Sequence, residues 1–275
     1  MRTLVHLSDL HFGRVDERLL GPLISAVAEI NPDLVAVSGD LTQRARSQQF
    51  REARAFLDAL PQPQIVVPGN HDVPLHNVFT RFARPLDKYK RHITGDLEPV
   101  YLDDEIVVVG VNTARSLTIK GGRINEDQVA RVREQLCGSD DKLVKTVVTH
   151  HPFDLPEGHH DRDLVGRAQM AMTGLADCGA DLFLAGHLHF SHTGHTAKRY
   201  NLRGHSALVV QAGTASSTRG RGEANSFNVI RIDRPGITVE KLLWQASSSA
   251  FVVSGKENFR HTSEGWVRLS EETTP

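Results

Sequence analysis

Short apolar runs alternate with amphipathic stretches over the first two thirds of the chain, and this alternation predicts an α/β fold. The runs are rich in β-branched and aliphatic residues, which is typical of buried strands. They cover residues 4–7, 34–37, 65–67, 106–111, 144–149 and 181–184. The stretches with helical periodicity cover residues 17–30, 47–60, 125–136 and 167–178. Strands that alternate with helices in this way favour a mostly parallel sheet.

The last third of the chain has a different pattern, with apolar runs but no helical stretch between them. The runs at residues 207–212, 226–232 and 237–244 are joined by Gly, Ser and Pro turns. We interpret them as antiparallel strands that finish a second sheet. From residue 246 the chain is rich in Ser, Glu and Thr. The pattern therefore predicts one domain over residues 1–245 and a loosely ordered polar extension over residues 246–275.

Composition narrows the class of protein. Of 275 residues, 39% are apolar and 24% are charged, with a net charge of −1, which is ordinary for a globular chain. The balanced charge disfavours a long nucleic-acid partner, and no apolar run approaches the roughly 20 residues of a membrane helix. Cys137 and Cys178 fall in or beside predicted helices and are interpreted as buried small apolar residues of a reducing compartment. We therefore predict a cytoplasmic protein, and a homodimer is compatible with the sequence.

Polar side chains follow five of the predicted strands, where open α/β sheets carry their sites. The chain has 15 His against 3 Tyr and 3 Met, and imidazole is the commonest metal ligand. The motifs, in chain order, are Asp9-Leu10-His11, Gly39-Asp40, Gly69-Asn70-His71-Asp72, His150-His151 and Gly186-His187-Leu188-His189. Glycines before Asp40, Asn70 and His187 allow sharp turns and a close approach of the backbone.

This set has more donors than one tetrahedral ion needs, but enough for two ions that share a bridging ligand. Nitrogen and oxygen donors without thiolate suit Mn, Fe, Zn, Co or Ni better than Ca. Two such ions about 3.5–4 Å apart form a clamp for in-line displacement at phosphorus. The sequence therefore predicts a two-metal phosphoester hydrolase with a small phosphate ester as its substrate.

The five motifs, in this order, resemble those of the calcineurin-like metallophosphoesterases over residues 3 to about 190. The resemblance implies a four-layer α/β/β/α sandwich, in which two mixed sheets are flanked by helices. It also implies a nucleophilic hydroxide between the two ions. The implied ligands are Asp9, His11 and His189 on the first ion, Asn70, His150 and His187 on the second, and Asp40 as the bridge.

The resemblance also assigns roles to the residues after Asn70. His71 would hydrogen-bond the phosphate and act as a general acid or an electrostatic stabiliser for the leaving oxygen, and Asp72 would orient His71. Strand alternation turns neighbouring side chains to opposite faces, so only one of His150 and His151 should face the metals. The residues before them leave this choice open, and the family pattern favours His150.

Three loops at the rim of the predicted site are candidates for substrate specificity, because specificity commonly resides in loops. They lie around residues 112–115, 120–123 and 151–167. The rim loops supply the candidate substrate-binding residues Asn112, Arg115 and Arg123. The other candidates for substrate binding are Asn70, His71 and Arg44. The other histidines near this edge are expected to be surface residues: His159, His160, His192, His195 and His205.

A phosphodiester is the favoured substrate, because its poor leaving group profits from a general acid such as His71. The complete Asn70-His71-Asp72 motif resembles that of class III cyclic-nucleotide phosphodiesterases, but residues 41–44 depart from that branch. A cyclic nucleotide, a glycerophosphodiester and another small diester therefore stay open. The alternatives are a phosphomonoesterase, a UDP-2,3-diacylglucosamine pyrophosphatase, a nuclease and a non-catalytic metal-binding scaffold. The pyrophosphatases carry Arg at the position of His71, which counts against the UDP-2,3-diacylglucosamine pyrophosphatase.

Overall fold

The computed structural model describes residues 1–75, 78–116, 120–156, 158, 160–200, 206–219 and 222–269. Its strands, in chain order, are β1 (Arg2–Leu7), β2 (Leu34–Val37), β3 (Gln64–Val66), β4 (Val100–Leu102), β5 (Ile106–Gly110), β6 (Val144–Val148), β7 (Leu182–Ala185), β8 (His192–His195), β9 (Leu208–Gln211), β10 (Ser226–Asp233), β11 (Gly236–Gln245), β12 (Ala250–Thr262) and β13 (Gly265–Arg268). The helices are α1 (Glu17–Ile30), α2 (Ser47–Asp58), α3 (Val78–Ala83), α4 (Asp87–His92), α5 (Glu126–Cys137) and α6 (Ala168–Ala176), with 3-10 turns at Asn70–Asp72, Asp161–Asp163 and Thr196–Lys198.

Helix α1 shows how local sequence sets an element. Asp16 caps its N-terminus by accepting a hydrogen bond from the backbone N–H of Arg18, and the left-handed Asn31 ends it before a proline. Its buried positions recur at helical spacing: Leu19, Leu23 and Val27. In the described ranges, no helix combines the length and the apolar character that crossing a membrane requires.

The strands form two mixed sheets. One has seven strands in the order β13-β12-β11-β10-β1-β2-β3, and the other has six in the order β4-β5-β6-β7-β9-β8. Strands β1 to β3 are parallel in the first sheet, and β5, β6, β7 and β9 are parallel in the second. Each sheet is completed by antiparallel neighbours at its edges.

The two sheets pack face to face between two layers of helices. In β2, Val35 and Val37 face the helix-bearing core with α1 and α2, whereas Leu34 and Ala36 face the core between the sheets. A third core joins the second sheet to α5 and α6. Because side chains alternate along a strand, β2 is buried on both of its faces. The predicted four-layer α/β/β/α sandwich is confirmed.

The assignment of the C-terminal strands needs correction. Strand β9 is parallel to β7 in the six-stranded sheet, whereas β10 and β11 extend the seven-stranded sheet beside β1. The predicted loosely ordered extension is also wrong over β12 and β13, which pair with β11 and bury Phe251, Phe259 and Trp266. The polar composition reflects the exposed face of these edge strands. Residues 270–275 lie outside the described ranges.

The interpretation of the two cysteines is also wrong. Cys137 is the exposed last residue of α5, and Cys178 is buried in the turn after α6. Their sulfurs form a disulfide across a sequence separation of 41 residues. The bond joins the two helices that cover the second sheet, and it removes the cysteine-based reason for a reducing compartment. The cytoplasmic location stays a prediction.

Candidate metal centre

The candidate ligands meet at one edge of the two sheets, where the parallel strands end. They follow β1 (Asp9, His11), β2 (Asp40), β3 (Asn70), β6 (His150) and β7 (His187, His189). Five of them have left-handed backbone, with φ between 51° and 72°: Asp9, His11, Asp40, His187 and His189. This conformation is uncommon for residues with a side chain and costs about 1–3 kcal/mol each, and such strain clusters at functional sites.

One group of donors surrounds the buried carboxylate of Asp9. Its Oδ1 lies 3.3 Å from His189 Nε2 and 3.5 Å from His11 Nε2. The two imidazole nitrogens are 3.3 Å apart, and His11 Nε2 is 3.7 Å from Asp40 Oδ2. Donor atoms of all four residues lie within 4.8 Å of one another, which is compatible with one metal ion.

A second group lies on the other side of Asp40. Asn70 Oδ1 is 3.1 Å from both His150 Nε2 and His187 Nδ1, and these two nitrogens are 3.3 Å apart. Asp40 Oδ1 is 3.4 Å from His150 Nε2, while its Oδ2 faces the first group. The two oxygens of one carboxylate therefore face two separate sets of donors, as a bridging ligand requires.

The geometry favours His150 over His151 as the ligand. His151 lies near His150 and His187, but both of its ring nitrogens already have partners. Its Nδ1 is 2.8 Å from Thr113 Oγ1, and its Nε2 is 3.0 Å from the carbonyl oxygen of Lys120. His150 instead uses Nδ1 on the carbonyl of Ser38, at 2.8 Å, which turns Nε2 to the cluster.

Orphaned polar atoms and tight glycines indicate that this centre is built around ions. Among the described residues, Asp9 Oδ1, His11 Nδ1 and His189 Nδ1 are buried without a hydrogen-bond partner. A Cβ at Gly69 would overlap Asp40 Oδ1, and one at Gly186 would overlap the Ser8 hydroxyl and Asp9 Oδ2. Of these atoms, Asp9 Oδ1 faces the donor group; leaving it unpaired is costly in a protein interior, and a cation held by these ligands would remove that cost. The residues present therefore fit two metal ions.

The charges in the centre perturb its pKa values strongly. Burial alone would raise the pKa of Asp9 and Asp40, but the neighbouring imidazoles hold both values below their usual range. For His150, burial is outweighed by the Asp40 carboxylate, and its pKa rises to about 9. Burial and the charge of His150 lower the pKa of His187 to about 3. Without metal, His150 thus carries a proton beside the Asp40 carboxylate at neutral pH.

His71 lies beside the first group, but Asp72 does not orient it. The backbone N–H of His71 donates to Asp40 Oδ1, and its Nδ1 is 2.9 Å from the carbonyl of Gln43. The Asp72 carboxylate instead accepts from the backbone N–H groups of Leu41, Thr42 and Gly69. It therefore ties the loop after β2 to the loop after β3, and the expected contact with His71 is wrong.

Sequence reasoning missed Arg219, whose Nη1 is 2.9 Å from His71 Nε2. The same nitrogen lies 3.5 Å from Gln43 Oε1. Arg219 is 148 residues from His71 and belongs to a loop after β9 that carries no ligand motif. The only signal in the sequence is a basic residue in a stretch of Gly, Ser and Thr, which is too weak to single it out.

Within the part of the chain that the structure describes, Arg44, Asn112, Arg115 and Arg123 make no hydrogen bond or ion pair with the candidate ligands. The Asn112 side chain accepts from the backbone N–H of Ala114. Arg115 donates to the carbonyls of Asn112 and Ala114 and to the side chain of Gln128. Arg44 and Arg123 are exposed. Asn112 and Arg115 thus stabilise their own loop. Of the other predicted surface histidines, His160 is exposed, His192 and His195 are half-buried, and His159 and His205 lie outside the described residues.

The chain is similar in sequence to named phosphodiesterases. Over 171 residues the chain is 29% identical to glycerophosphodiester phosphodiesterase GpdQ of Enterobacter lignolyticus (strain SCF1), covering 58% of this chain and 60% of that protein. It is 22% identical to a probable cyclic nucleotide phosphodiesterase of Vesicomyosocius okutanii subsp. Calyptogena okutanii, covering 54% and 61%. The matches thus span about three fifths of these relatives' length.

The fold has a solved counterpart in a dimetal phosphatase from Danio rerio, with a TM-score of 0.62 and 15% identity over 87% of this chain and 95% of that one. At this identity the likeness shows the fold alone. The family model described as calcineurin-like phosphoesterase matches residues 2–191, which include every candidate ligand. The chain therefore belongs to the calcineurin-like phosphoesterase family.

Proposed function

We propose that the chain is a two-metal hydrolase of small phosphodiesters. The observation that carries the proposal is the position of Asp40, whose two carboxylate oxygens face two separate donor groups. Mn, Fe, Zn and Co all suit this set of imidazole, carboxylate and amide donors. When bound, two such ions supply Lewis-acid stabilisation of charge on the phosphoryl oxygens and acidify a water molecule for attack.

The chain's own contribution is to hold the donors rigidly before substrate arrives. Asp9 Oδ2 accepts hydrogen bonds from the Ser8 hydroxyl, at 2.7 Å, and from the backbone N–H of His187, at 2.9 Å. The contact between Asp9 and His187 connects the end of β1 with the end of β7. Each sheet thus fixes ligands that belong to the other, which limits the reorganisation needed during the reaction.

His71 is the residue that we assign to the leaving oxygen. Its Nδ1 faces a carbonyl oxygen and must donate, so a proton for the leaving oxygen has to come from Nε2. A general acid contributes most where the leaving group is poor, as it is in an alkyl diester. The names of the relatives, one a glycerophosphodiester phosphodiesterase and one a probable cyclic nucleotide phosphodiesterase, support the same substrate class.

The test is a set of steady-state rates measured on the metal-loaded protein. The substrates are bis-p-nitrophenyl phosphate, p-nitrophenyl phosphate, cyclic AMP and a glycerophosphodiester, each with added Mn. We expect kcat/KM for at least one diester to exceed that for the monoester by about tenfold or more. Faster hydrolysis of the monoester would favour a phosphomonoesterase, and no hydrolysis with two ions bound would favour a metal-binding scaffold.

A groove with one apolar wall supports a second candidate, a diester or diphosphate with an apolar substituent. Its cavity of about 740 Å³ is lined by the apolar Phe12, Val15, Leu20, Ile24 and Phe56 and by the charged Arg14, Glu17 and Glu52, and Phe12 directly follows the candidate ligand His11. Of the alternatives, the pyrophosphatase of UDP-2,3-diacylglucosamine is the one that needs such a groove. Comparison of a methyl with an octyl p-nitrophenyl phosphodiester tests this: a lower KM for the octyl compound favours it, and equal KM values reject it.

A further inference from the structure

His151 is buried beside a candidate ligand, but both of its ring nitrogens bond a loop that follows β5. Its Nε2 is 3.0 Å from the carbonyl oxygen of Lys120, which can only accept, so Nε2 carries a hydrogen and donates it. Its Nδ1 is 2.8 Å from the hydroxyl oxygen of Thr113. The backbone N–H of His151 donates to the same hydroxyl oxygen at 3.3 Å. One buried ring therefore bonds this loop at two separate points.

The loop that His151 holds consists of residues 112–116 and 120–123, which we call the rim loop. A Cβ at Gly122 would overlap the His151 ring, so the glycine lets the backbone lie against the imidazole. The backbone N–H of Arg123 donates to the carbonyl of Thr113 at 2.9 Å, and the N–H of Gly166 donates to the carbonyl of Gly122 at 2.8 Å. All three candidate specificity loops thus meet around one ring.

The same ring also contacts the second donor group. The centroid of the His151 ring lies 4.8 Å from that of His150 and 4.7 Å from that of His187. His150 and His187 are the two imidazoles that approach Asn70 in this group. His151 therefore connects the rim loop to two candidate ligands without being a ligand itself.

A rim loop that is fixed beforehand favours the binding of an anionic substrate. Lys120 and Arg123 are exposed cations of this loop, and a phosphoester that comes to the second donor group is an anion. If the loop had to become ordered when the substrate binds, the lost conformational entropy would weaken binding. Hydrogen bonds that order the loop in the free protein remove that cost.

We propose that His151 is a positioning residue that fixes the rim loop against the second donor group and thereby strengthens the binding of a phosphoester. The proposal rests on the proposed function for the class of substrate. Because His151 acts through the rim loop on the bound substrate, loss of its hydrogen bonds should raise KM and leave kcat nearly unchanged. A role confined to folding would reduce the amount of active protein and leave KM unchanged.

The first test uses the full chain loaded with Mn and bis-p-nitrophenyl phosphate as the substrate. Thr113→Val removes the hydroxyl and keeps the shape, His151→Leu removes both ring bonds, and His151→Gln keeps an N–H donor for the carbonyl of Lys120. We expect KM to rise by about fivefold or more in Thr113→Val and by about tenfold or more in His151→Leu, with kcat within about twofold of the wild type. His151→Gln should recover part of the loss.

Two further variants control this test. Thr146→Val is the matched control and should match the wild type, because Thr146 is also buried and its hydroxyl has no hydrogen-bond partner among the described residues. The double variant Thr113→Val/His151→Leu should have the same KM as His151→Leu alone, since the bond between the two side chains is absent in both.

Amide hydrogen exchange tests the rim loop without reference to activity. The backbone N–H groups of Arg123 and Gly166 are bonded within the attached loops. They should exchange about tenfold or more faster in His151→Leu than in the wild type, and at the wild-type rate in Thr146→Val. Each variant should bind as many Mn ions as the wild type, because His151 is not a candidate ligand.

The outcomes separate this inference from the proposed function. Unchanged KM in both Thr113→Val and His151→Leu would overturn the inference, as would additive losses in the double variant. Loss of Mn from His151→Leu would show that His151 supports the ligands rather than the loop, which would also overturn it. If His151→Leu does not fold, the KM of Thr113→Val decides alone. If the wild type hydrolyses no diester while exchange still accelerates, the proposed function fails and the attachment of the rim loop by His151 stands.

Discussion

Buried polar groups are left without hydrogen-bond partners at the carboxyl ends of the parallel strands, whereas those at the amino ends described below are paired. At the carboxyl ends, Asp9 and His11 have left-handed backbone and buried polar atoms without partners among the described residues. At the amino ends, the Asp181 carboxylate accepts from the backbone N–H of Lys145, at 2.9 Å, and from Trp266 Nε1, at 2.7 Å. The buried Lys145 ammonium donates to Asp141 and to the carbonyl of Cys178.

This difference indicates that the amino ends of the strands stabilise the fold, whereas the carboxyl ends are arranged to bind a ligand. Satisfied hydrogen bonds and the disulfide at the amino ends stabilise the chain by themselves. The strained backbone and the unpaired Asp9 Oδ1 at the carboxyl ends persist because the packed sheets enforce them, and a bound cation would remove the cost of the unpaired oxygen. Metal-binding variants and amino-end variants should therefore have separable effects.

The largest effect is expected at the bridge. Asp40→Ala removes a carboxylate that faces both donor groups, so the protein should lose at least one ion and on the order of a thousandfold or more in turnover. Metal analysis and diester kinetics measure both. Asp104→Ala is the control, since Asp104 is an exposed carboxylate that pairs with Arg2 at the amino ends. Substantial residual turnover in Asp40→Ala would reject the bridging role.

An intermediate effect is expected from pH. The pKa of His150 is raised to about 9, whereas the pKa values of His187 and His189 are lowered by burial. The ion pair of protonated His150 with Asp40 stabilises the metal-free fold fully below pH 6.5, and this stabilisation is lost as pH rises through 9. A metal ion must displace the proton of His150 to bind. The affinity of the site for metal should therefore rise as the pH rises.

The apparent affinity for Mn should therefore rise by about tenfold per pH unit between pH 7 and 8. Titrations followed by the electron paramagnetic resonance of free Mn measure it at each pH. An affinity that is independent of pH over this range would show that His150 is already neutral, and it would contradict the ion pair with Asp40.

The smallest effect on function is expected at the disulfide. The Cys137→Ser/Cys178→Ser double variant should lower the free energy of unfolding by about 2–4 kcal/mol, because a loop of this length is no longer closed in the unfolded chain. It should still bind two ions and hydrolyse diesters within about twofold of the wild type. Denaturant unfolding and metal analysis test this prediction. Loss of metal in the double variant would show that the amino ends and the carboxyl ends of the strands are not independent.

The sequence predicts the features that depend on neighbouring residues. Strands β1 and β2 and the ligand motifs that follow them are local patterns, and the sheet edge brings such motifs together in any α/β fold. The pairing of β10 with β1 joins residues more than 220 apart, and no local pattern specifies it. The same reason explains the missed contact of Arg219 with His71 and the missed disulfide.

The role of Asp72 shows a second limit. The motif places it next to His71, but its carboxylate is directed by the backbone N–H groups of Leu41 and Thr42, about 30 residues away in the sequence. Burial and the charge of Asp40 raise its pKa to about 6. Spacing within a motif gives the residue types that meet at a site, whereas the direction of each side chain depends on loops from other strands.

Anomalous diffraction from crystals grown with Mn tests the central claim most directly, because it locates each ion without reference to activity. The account predicts two peaks, one beside Asp9, His11 and His189 and one beside Asn70, His150 and His187, about 3.5–4 Å apart with Asp40 between them. A single peak, or two peaks that do not share Asp40, would contradict it.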